Sequence, residues 1–285
     1  MLMNDTKTDD YKKIVADSFS ASKDFWKYIY DIDKRGIDKC YSNDMINRKS
    51  SVFDLLQKYS NGKKLNVLDV GCGSGVFVSE AVRLGHFAYG VDFSELMVQE
   101  SKSVLTAYGY KNTVVIRGDI EHLPIRDEAF DVALCIGVLS YLPTDEKGLS
   151  ELRRVVKQGG YVIIALPNWL RLPMLFDPYY YFNRIFVVLF KKLFNSRNHT
   201  STQACLSGYR RYFVWRLPKL FSQFNFKILE TRNIGFGPPT FWKKEIIAAD
   251  SSIKISQFLE RLSRIKLFYF LKAFTNHWVI CLQKT

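Results

Sequence analysis

The sequence lacks the marks of a metalloprotein or a disulfide scaffold. Its five cysteines, Cys40, Cys72, Cys135, Cys205 and Cys281, are scattered, with no Cys-x-x-Cys. No pair of its four histidines stands at ligand spacing. Neither a metal centre nor a disulfide framework is expected, and a reducing, cytoplasmic setting is the simplest one. The apolar run at 185–190 is six residues long and meets Lys191-Lys192, against about 20 residues needed to cross a bilayer. Residues 1–22 are polar and hold no apolar h-region, so no signal peptide is expected. Internal repeats and low-complexity linkers are also missing. Acids become scarce in the second half: 22 Lys+Arg face 23 Asp+Glu up to residue 166, but 19 face 5 from there on. That excess is either a solvated basic face or a surface for an anionic partner, whether membrane, phosphorylated substrate or nucleic acid.

The first half is dense with strand-turn-helix signals. Val67-Leu68-Asp69-Val70-Gly71-Cys72-Gly73-Ser74-Gly75 is a short β-branched run that ends in an acid and opens into three alternating glycines. It reads as a buried parallel strand, a turn that a side chain would obstruct, and then a helix over 76–84. Backbone N–H groups at such a helix start suit an anionic group. A dinucleotide fingerprint wants Gly-x-Gly-x-x-Gly, and here its third position is Val76.

Four more units follow in order. Residues 87–92 form a strand ending in Asp92, 17 residues beyond Gly75. An acid at that tip accepts the hydroxyls of a ribose, or else Asp92 or Ser94 simply caps the helix over 95–108. Residues 113–117 make a third strand, before Gly118-Asp119-Ile120-Glu121-His122-Leu123-Pro124-Ile125. Residues 130–136 are a continuous apolar fourth strand, covered on both faces, leading to Gly137 and Tyr141. A helix over 149–156 and the pair Gly159-Gly160 precede a fifth strand at 161–166.

Gly-x-Gly-x-Gly with Asp69 two residues ahead resembles motif I of the class I S-adenosylmethionine-dependent methyltransferases, in particular the small-molecule, ubiquinone-biosynthesis-type branch. The segment from Gly118 is similar to that family's Gly-Asp-x-x-x-Leu-Pro-Phe, with Ile125 in the last place. The resemblance covers residues 64–168 specifically and the remaining strands loosely. It implies S-adenosylmethionine as cofactor and S-adenosylhomocysteine as product. It also implies a cofactor site of Asp69, Gly71, Cys72, Gly73, Gly75, Asp92, Phe93, Asp119, Ile120, Ile136 and Gly137. In that site Asp92 holds the ribose, Asp119 faces the adenine amino group and the Ile120 N–H reaches a ring nitrogen. Family members commonly carry His where Tyr141 stands. A phenol of pKa about 10 is a poor base near neutrality, so Tyr141 is expected to position substrate or merely to pack. His122 is left out of the catalytic set. Arg48, upstream of motif I, either pairs with the cofactor carboxylate or is a surface arginine.

The expected fold is α/β, a doubly wound, seven-stranded, mostly parallel Rossmann-like sheet with an inserted aromatic and basic lid. Residues 1–60 are expected to form a helical cap, 61–168 the cofactor core, 169–212 the lid, and 213–285 the completion of the sheet. That last part should bring a loop at Gly235 to Pro239 near the site's mouth, one long amphipathic helix and an antiparallel edge strand. The expected activity is metal-independent methyl transfer to a small, apolar or lipid-linked acceptor, with peripheral contact to an anionic membrane. Methylation of nucleic acid and non-catalytic cofactor binding are the competing readings. Against the first of these, residues 136–139 lack the Asp/Asn-Pro-Pro-Tyr/Phe of adenine-amino methyltransferases, and Asp177-Pro178-Tyr179-Tyr180 only half resembles it.

Overall fold

The computed structural model describes residues 5–30, 38–110, 113–172, 177–180, 182, 209–242 and 244–285. Most of the expected lid, including the apolar run at 185–190 and Cys205, lies outside them.

Alternating strands and helices build one doubly wound sheet. Helices α1 (Asp5–Ala21), α2 (Lys23–Tyr28) and α3 (Lys39–Ser60) precede strand β1 (Asn66–Val70). Then come α4 (Val76–Arg83), β2 (Phe87–Asp92), α5 (Glu95–Ala107), β3 (Val114–Arg117), β4 (Phe130–Ile136), α6 (Glu146–Val155) and β5 (Val156–Pro167). The chain ends with α7 (Leu217–Ser222), β6 (Phe226–Ile234), a small hairpin β7 (Thr240–Phe241) and β8 (Lys244–Glu245), α8 (Ala249–Leu262) and β9 (His277–Lys284). The main sheet runs β3-β2-β1-β4-β5-β9-β6. Only β9 runs against the others.

The strands divide their side chains between two cores by the two-residue alternation of a pleated sheet. Leu68, Val70, Ala133, Cys135, Ile164 and Leu166 face one side with Leu149 and Leu152 of α6 and Phe221 of α7. Val67, Leu134, Ile163 and Ala165 face the other with Val52, Leu55 and Leu56 of α3 and Val78 of α4. Asn61, at φ 49°, ends α3 in the left-handed turn that Asn tolerates.

Three expectations about the second half need correction. The last strand is not at the edge. Trp278, Ile280 and Leu282 enter one core while Val279 and Cys281 enter the other, so β9 is covered on both faces and lies between β5 and β6. β6, with Lys227 and Thr231 exposed, takes the edge. Gly159-Gly160 does not precede the fifth strand but lies inside β5, whose pairing with β4 jumps from Val156 to Tyr161 around a bulge.

The long amphipathic helix is instead α8 followed by a separate 3-10 segment, Lys266–Phe274. The buried face of α8 is made of Ser252 and Ser256, and Ser256 Oγ accepts a hydrogen bond from the Phe236 N–H at 2.9 Å. Ile255 and Phe258 point to solvent. Small hydroxyl side chains satisfy the loop before the helix, while Ile253, Leu259 and Leu262 stay half-buried beside them.

Candidate active site

A cleft opens at the carboxyl edge of the parallel strands, where ligands bind in such sheets. Its empty volume, counted out into the open mouth, is about 1340 Å³. One floor is the glycine loop. Gly71, Cys72, Gly73, Ser74 and Val76 line it, with Asp92, Phe93 and Ser94 from β2, Asp119 and Ile120 after β3, and Ile136, Gly137 and Tyr141 after β4. Of the residues expected in the site, Asp69 and Gly75 do not reach the cleft wall. Nor does the Gly235 loop: Gly235 packs on Asp44 and Phe236 is buried.

The loop's hydrogen bonds correct one expectation. Gly71 and Cys72 donate their N–H groups to the Val91 carbonyl at 2.7 and 3.0 Å, and Gly75 donates to the Cys72 carbonyl at 2.9 Å. The Gly73 N–H goes to Asp92 Oδ2 at 2.8 Å. These four donors are satisfied within the protein and do not form a cradle for a phosphate. They tie the loop to β2 and fix where Asp92 points. Asp92 Oδ1 accepts from the Ser94 N–H at 2.9 Å, while Ser94 itself caps α5. Each carboxylate oxygen of Asp92 keeps a lone pair for a ligand hydroxyl.

Asp69 is buried behind the loop, and its Oδ2 has no hydrogen-bond partner among the described residues. Burial first, and the charge of Asp92 second, push its carboxyl up to about 8. Asp92 is also raised, by burial above all. A carboxyl whose pKa rises on folding holds its proton more tightly in the folded chain. Stability therefore falls as pH rises from the unfolded value of about 4 towards 8, by at most about 1.4 kcal/mol per pH unit, and no further above it. Melting temperatures of wild type and Asp69→Asn measured from pH 5 to 9 should diverge in favour of the variant up to pH 8 and then run parallel. A constant gap across that range would contradict this.

The opposite wall comes from the N-terminal helices. Lys12, Val15, Ala16, Phe19 and Trp26 line the cleft. Lys12 Nζ bonds Asp119 Oδ2 at 2.6 Å and pairs also with Glu121, which is buried. Those two acids raise the Lys12 pKa against the desolvation that lowers it. Phe19 stacks on Trp26 with ring centroids 4.9 Å apart and meets Tyr141 edge-on at 5.0 Å. Tyr141 continues to Tyr209 at 4.9 Å, so an aromatic strip runs from α1 to the far end of the cleft. His122 is exposed and does not line the cleft.

Arg48 is not a surface residue. It is 9% exposed, lines the cleft and donates to the Tyr30 hydroxyl at 3.2 Å, and its Nε has no partner among the described residues. Sequence reasoning missed Lys12, Tyr41, Tyr209 and His277, all of which line the cleft. Nothing in the spacing of Lys12 or Tyr41 singles them out. His277 was legible only through sheet order, because the first residue of an antiparallel strand lies at the carboxyl edge of its parallel neighbours.

Asp177 is fully buried and accepts from Thr240 Oγ1 at 2.7 Å, the Trp242 N–H at 2.8 Å and the Tyr179 N–H at 2.9 Å. It anchors the β7-β8 hairpin instead of facing a base. Among the described residues, Asp38, Cys40 and Glu245 bring three possible ligand atoms within 4.8 Å of one another, a grouping their spacing does not announce. Burial, and then a hydrogen bond with Asp38, push the Glu245 carboxyl up to about 7.

Comparison with known proteins converges on this geometry. A methyltransferase-domain family matches residues 61–200. The chain is 39% identical over 114 residues to the malonyl-[acyl-carrier protein] O-methyltransferase of Erwinia pyrifoliae, covering 39% of this chain and 40% of that one. It is 32% identical over 146 residues to the demethylmenaquinone methyltransferase of Geobacillus stearothermophilus, covering 49% and 61%. The chain thus spans less than two thirds of the length of these relatives. The crystal structure of magnesium protoporphyrin IX methyltransferase from Synechocystis PCC 6803 with bound SAH superposes with a TM-score of 0.60 at 18% identity, over 96% of this chain and all of that one. Fold, glycine loop and sequence kinship agree: the chain carries a methyltransferase domain of the class I, S-adenosylmethionine-dependent family.

Proposed function

We propose that this chain transfers a methyl group from S-adenosylmethionine to a small acceptor with an apolar body. The observation that carries it is the cleft itself, with acids at two adjacent strand tips, a glycine floor and an aromatic strip in one connected space. The residues present fit the cofactor. Asp92 has a free lone pair on each oxygen for the ribose diol, and Asp119, whose Oδ1 accepts from the Glu121 N–H and whose Oδ2 accepts from Lys12, lines the cleft with Ile120 where an adenine edge would lie. Arg48, buried beside Gly137 with an unpartnered Nε, suits the methionine carboxylate. Gly71, Cys72, Gly73 and Gly75 have spent their N–H groups on the protein, which suits an uncharged nucleoside better than a pyrophosphate.

S-adenosylmethionine brings its methyl on an already activated sulfonium, so the protein's task is to align and to exclude water. Asp92 and Asp119 fix the nucleoside end. Phe19, Trp26, Tyr141 and Tyr209 wall the acceptor end and shed water there. Tyr141 meets Phe19 and Tyr209 ring to ring, a geometry for positioning an acceptor. Nothing here assigns it a proton to carry.

The acceptor's apolar character has a counterpart on the surface. Ile255, Phe258, Leu267, Tyr269 and Phe270 are exposed along α8 and the 3-10 segment, among exposed Lys254, Arg261, Arg264 and Lys266. We infer that this face rests on an anionic bilayer, with the large apolar side chains in the interface and the basic ones at the headgroups. No helix among the described residues is long and apolar enough to cross a membrane.

Labelled S-adenosylmethionine incubated with the protein and fractionated extract should place label in lipid or apolar metabolites. Label confined to RNA would favour nucleic-acid methylation, and S-adenosylhomocysteine binding without any turnover would favour a binding protein. Flotation with phosphatidylglycerol-containing vesicles should carry the wild type and be lost in Leu267→Glu/Phe270→Glu with cofactor affinity unchanged. Equal flotation of both proteins would remove the membrane from the proposal.

A further inference from the structure

Cofactor binding leaves one polar side chain of the cleft wall without work. Of the Lys, Arg, Asp and His residues that line the cleft, Lys12 is held by Asp119 and Glu121. Asp92 and Asp119 are assigned to the nucleoside and Arg48 to the methionine carboxylate. His277 remains. It is 8% exposed, and its Nδ1 has no hydrogen-bond partner among the described residues. A buried polar atom is unfavourable until something pairs with it, and in a cleft wall that partner is a ligand.

Sheet order puts His277 beyond the cofactor. It opens β9 between Pro167 and Ile234, the last residues of β5 and β6, and so stands at the carboxyl edge. The residues assigned to the nucleoside stand at or just past the tips of β1 to β4, and β5 separates β4 from β9. Two strand spacings are about 10 Å, which leaves the imidazole on the acceptor's side of that edge. Its mount is rigid. The Asn276 N–H donates to the Ile234 and Gly235 carbonyls at 3.1 and 2.7 Å, and the Asn276 carbonyl accepts from the Asn168 N–H at 2.8 Å. Asn276 Nδ2 donates to Asp44 Oδ2 at 2.6 Å. A side chain on backbone pinned from both sides is preorganised for a directional contact.

We propose that His277 determines specificity for the methyl acceptor, its imidazole accepting a hydrogen bond from a hydroxyl group that the acceptor carries. This deepens the methyltransfer reading and rests on it: the acceptor is an uncharged apolar alcohol or phenol, its body along the Phe19–Tyr141–Tyr209 strip and its hydroxyl at His277. Arg48, in the same cleft, is a cation with donors only. A hydroxyl gives its hydrogen to the imidazole and keeps lone pairs for that positive field. An ammonium would add to the positive charge, and a carboxylate has no hydrogen to give. Burial above all, and then Arg48, Arg171 and Arg211, push the imidazole down to about 3. Burial penalises the charged ring and leaves the neutral ring its lone pair. The role of His277 is therefore to hold the hydroxyl and not to carry its proton away.

The test is calorimetry at neutral pH on the full chain saturated with S-adenosylhomocysteine, using 2-naphthol, 2-methoxynaphthalene and 2-naphthoate as probes. 2-Naphthol should bind about tenfold or more tighter than 2-methoxynaphthalene, which has the same apolar body and no hydrogen to give, and tighter than 2-naphthoate. His277→Phe should bring 2-naphthol to within about twofold of 2-methoxynaphthalene. His277→Asn, which keeps an amide oxygen near the place of Nδ1, should retain a preference of about threefold or more. S-adenosylhomocysteine affinity should stay within about twofold of wild type in both variants. Equal binding of 2-naphthol and 2-methoxynaphthalene by the wild type would overturn the assignment without any variant having to fold. So would 2-naphthoate binding tightest, or a 2-naphthol preference intact in His277→Phe. A preference lost equally in His277→Phe and His277→Asn would reduce His277 to packing, and a loss of S-adenosylhomocysteine affinity in folded His277→Phe would give the imidazole to the cofactor. If wild type binds no S-adenosylhomocysteine, the methyltransfer reading fails instead, and the 2-naphthol comparison on the free protein still reads His277.

Discussion

Asp92→Ala is expected to weaken S-adenosylhomocysteine binding by about 100-fold or more, the largest single-residue effect in the site. Two charge-assisted hydrogen bonds to ribose hydroxyls contribute about 1.5–3 kcal/mol each, and each 1.4 kcal/mol is a factor of ten. The same substitution strips the acceptors from the Gly73 and Ser94 N–H groups, which lie 2.8 and 2.9 Å from the carboxylate. The loop therefore loses its fixed register on β2 as the ligand loses its partner. Calorimetry well below the melting transition separates the two effects. A folded Asp92→Ala protein that bound S-adenosylhomocysteine as wild type does would remove the nucleoside from this end of the cleft.

The second large effect divides the glycines of one loop by role. At Gly71, φ is 73° and an added Cβ would collide with Val138. At Gly75, φ is 81° and the collision is with Ser101. Gly73, at φ 52°, has nothing within 4 Å of where its Cβ would be, and it lines the cleft. A left-handed backbone costs a non-glycine residue about 1–2 kcal/mol, and overpacking a filled site adds about 1–3 kcal/mol. Gly71→Ala should thus lose about 2–5 kcal/mol out of a typical total of about 5–15 kcal/mol, a fall in melting temperature on the order of 10 °C. Gly73→Ala should lose only the backbone term, a few degrees, yet bind S-adenosylhomocysteine worse because its methyl group occupies the cleft. If Gly73→Ala melted lower than Gly71→Ala, or kept full cofactor affinity, this division of labour would be wrong.

Much of the first half was legible because each segment carries its own local signal. β1, β2 and β4 are short β-branched or continuous apolar runs, and each ends in glycine or an acid that cannot continue a strand. Asp92 stands out because a strand tip in a parallel sheet is a position with a chemical consequence, and Asp119 stands out through the resemblance of its segment to the family's Gly-Asp-x-x-x-Leu-Pro-Phe. The second half resisted because its signals depend on partners. α8 has apolar residues at helical spacing, and the usual inference puts them inside. Ser252 and Ser256 are the fully buried residues instead, and Ser256 Oγ supplies the acceptor for the Phe236 N–H. The interior place of β9 follows from Trp278 to Leu282 filling both cores, a demand that appears only when both faces of the sheet are already covered.

Residue order alone determined the alternation of strand and helix, the glycine bend after Asp69 and the acids at two neighbouring strand tips, because those are local preferences of backbone and side chain. Only the folded chain decided that the loop's N–H groups turn inward to Val91 and Asp92, that Lys12 reaches Asp119 from a helix more than a hundred residues away, and that Arg48, Tyr209 and His277 line one cleft. Groups distant in sequence meet only when the sheet brings their strands and flanking segments to a common edge.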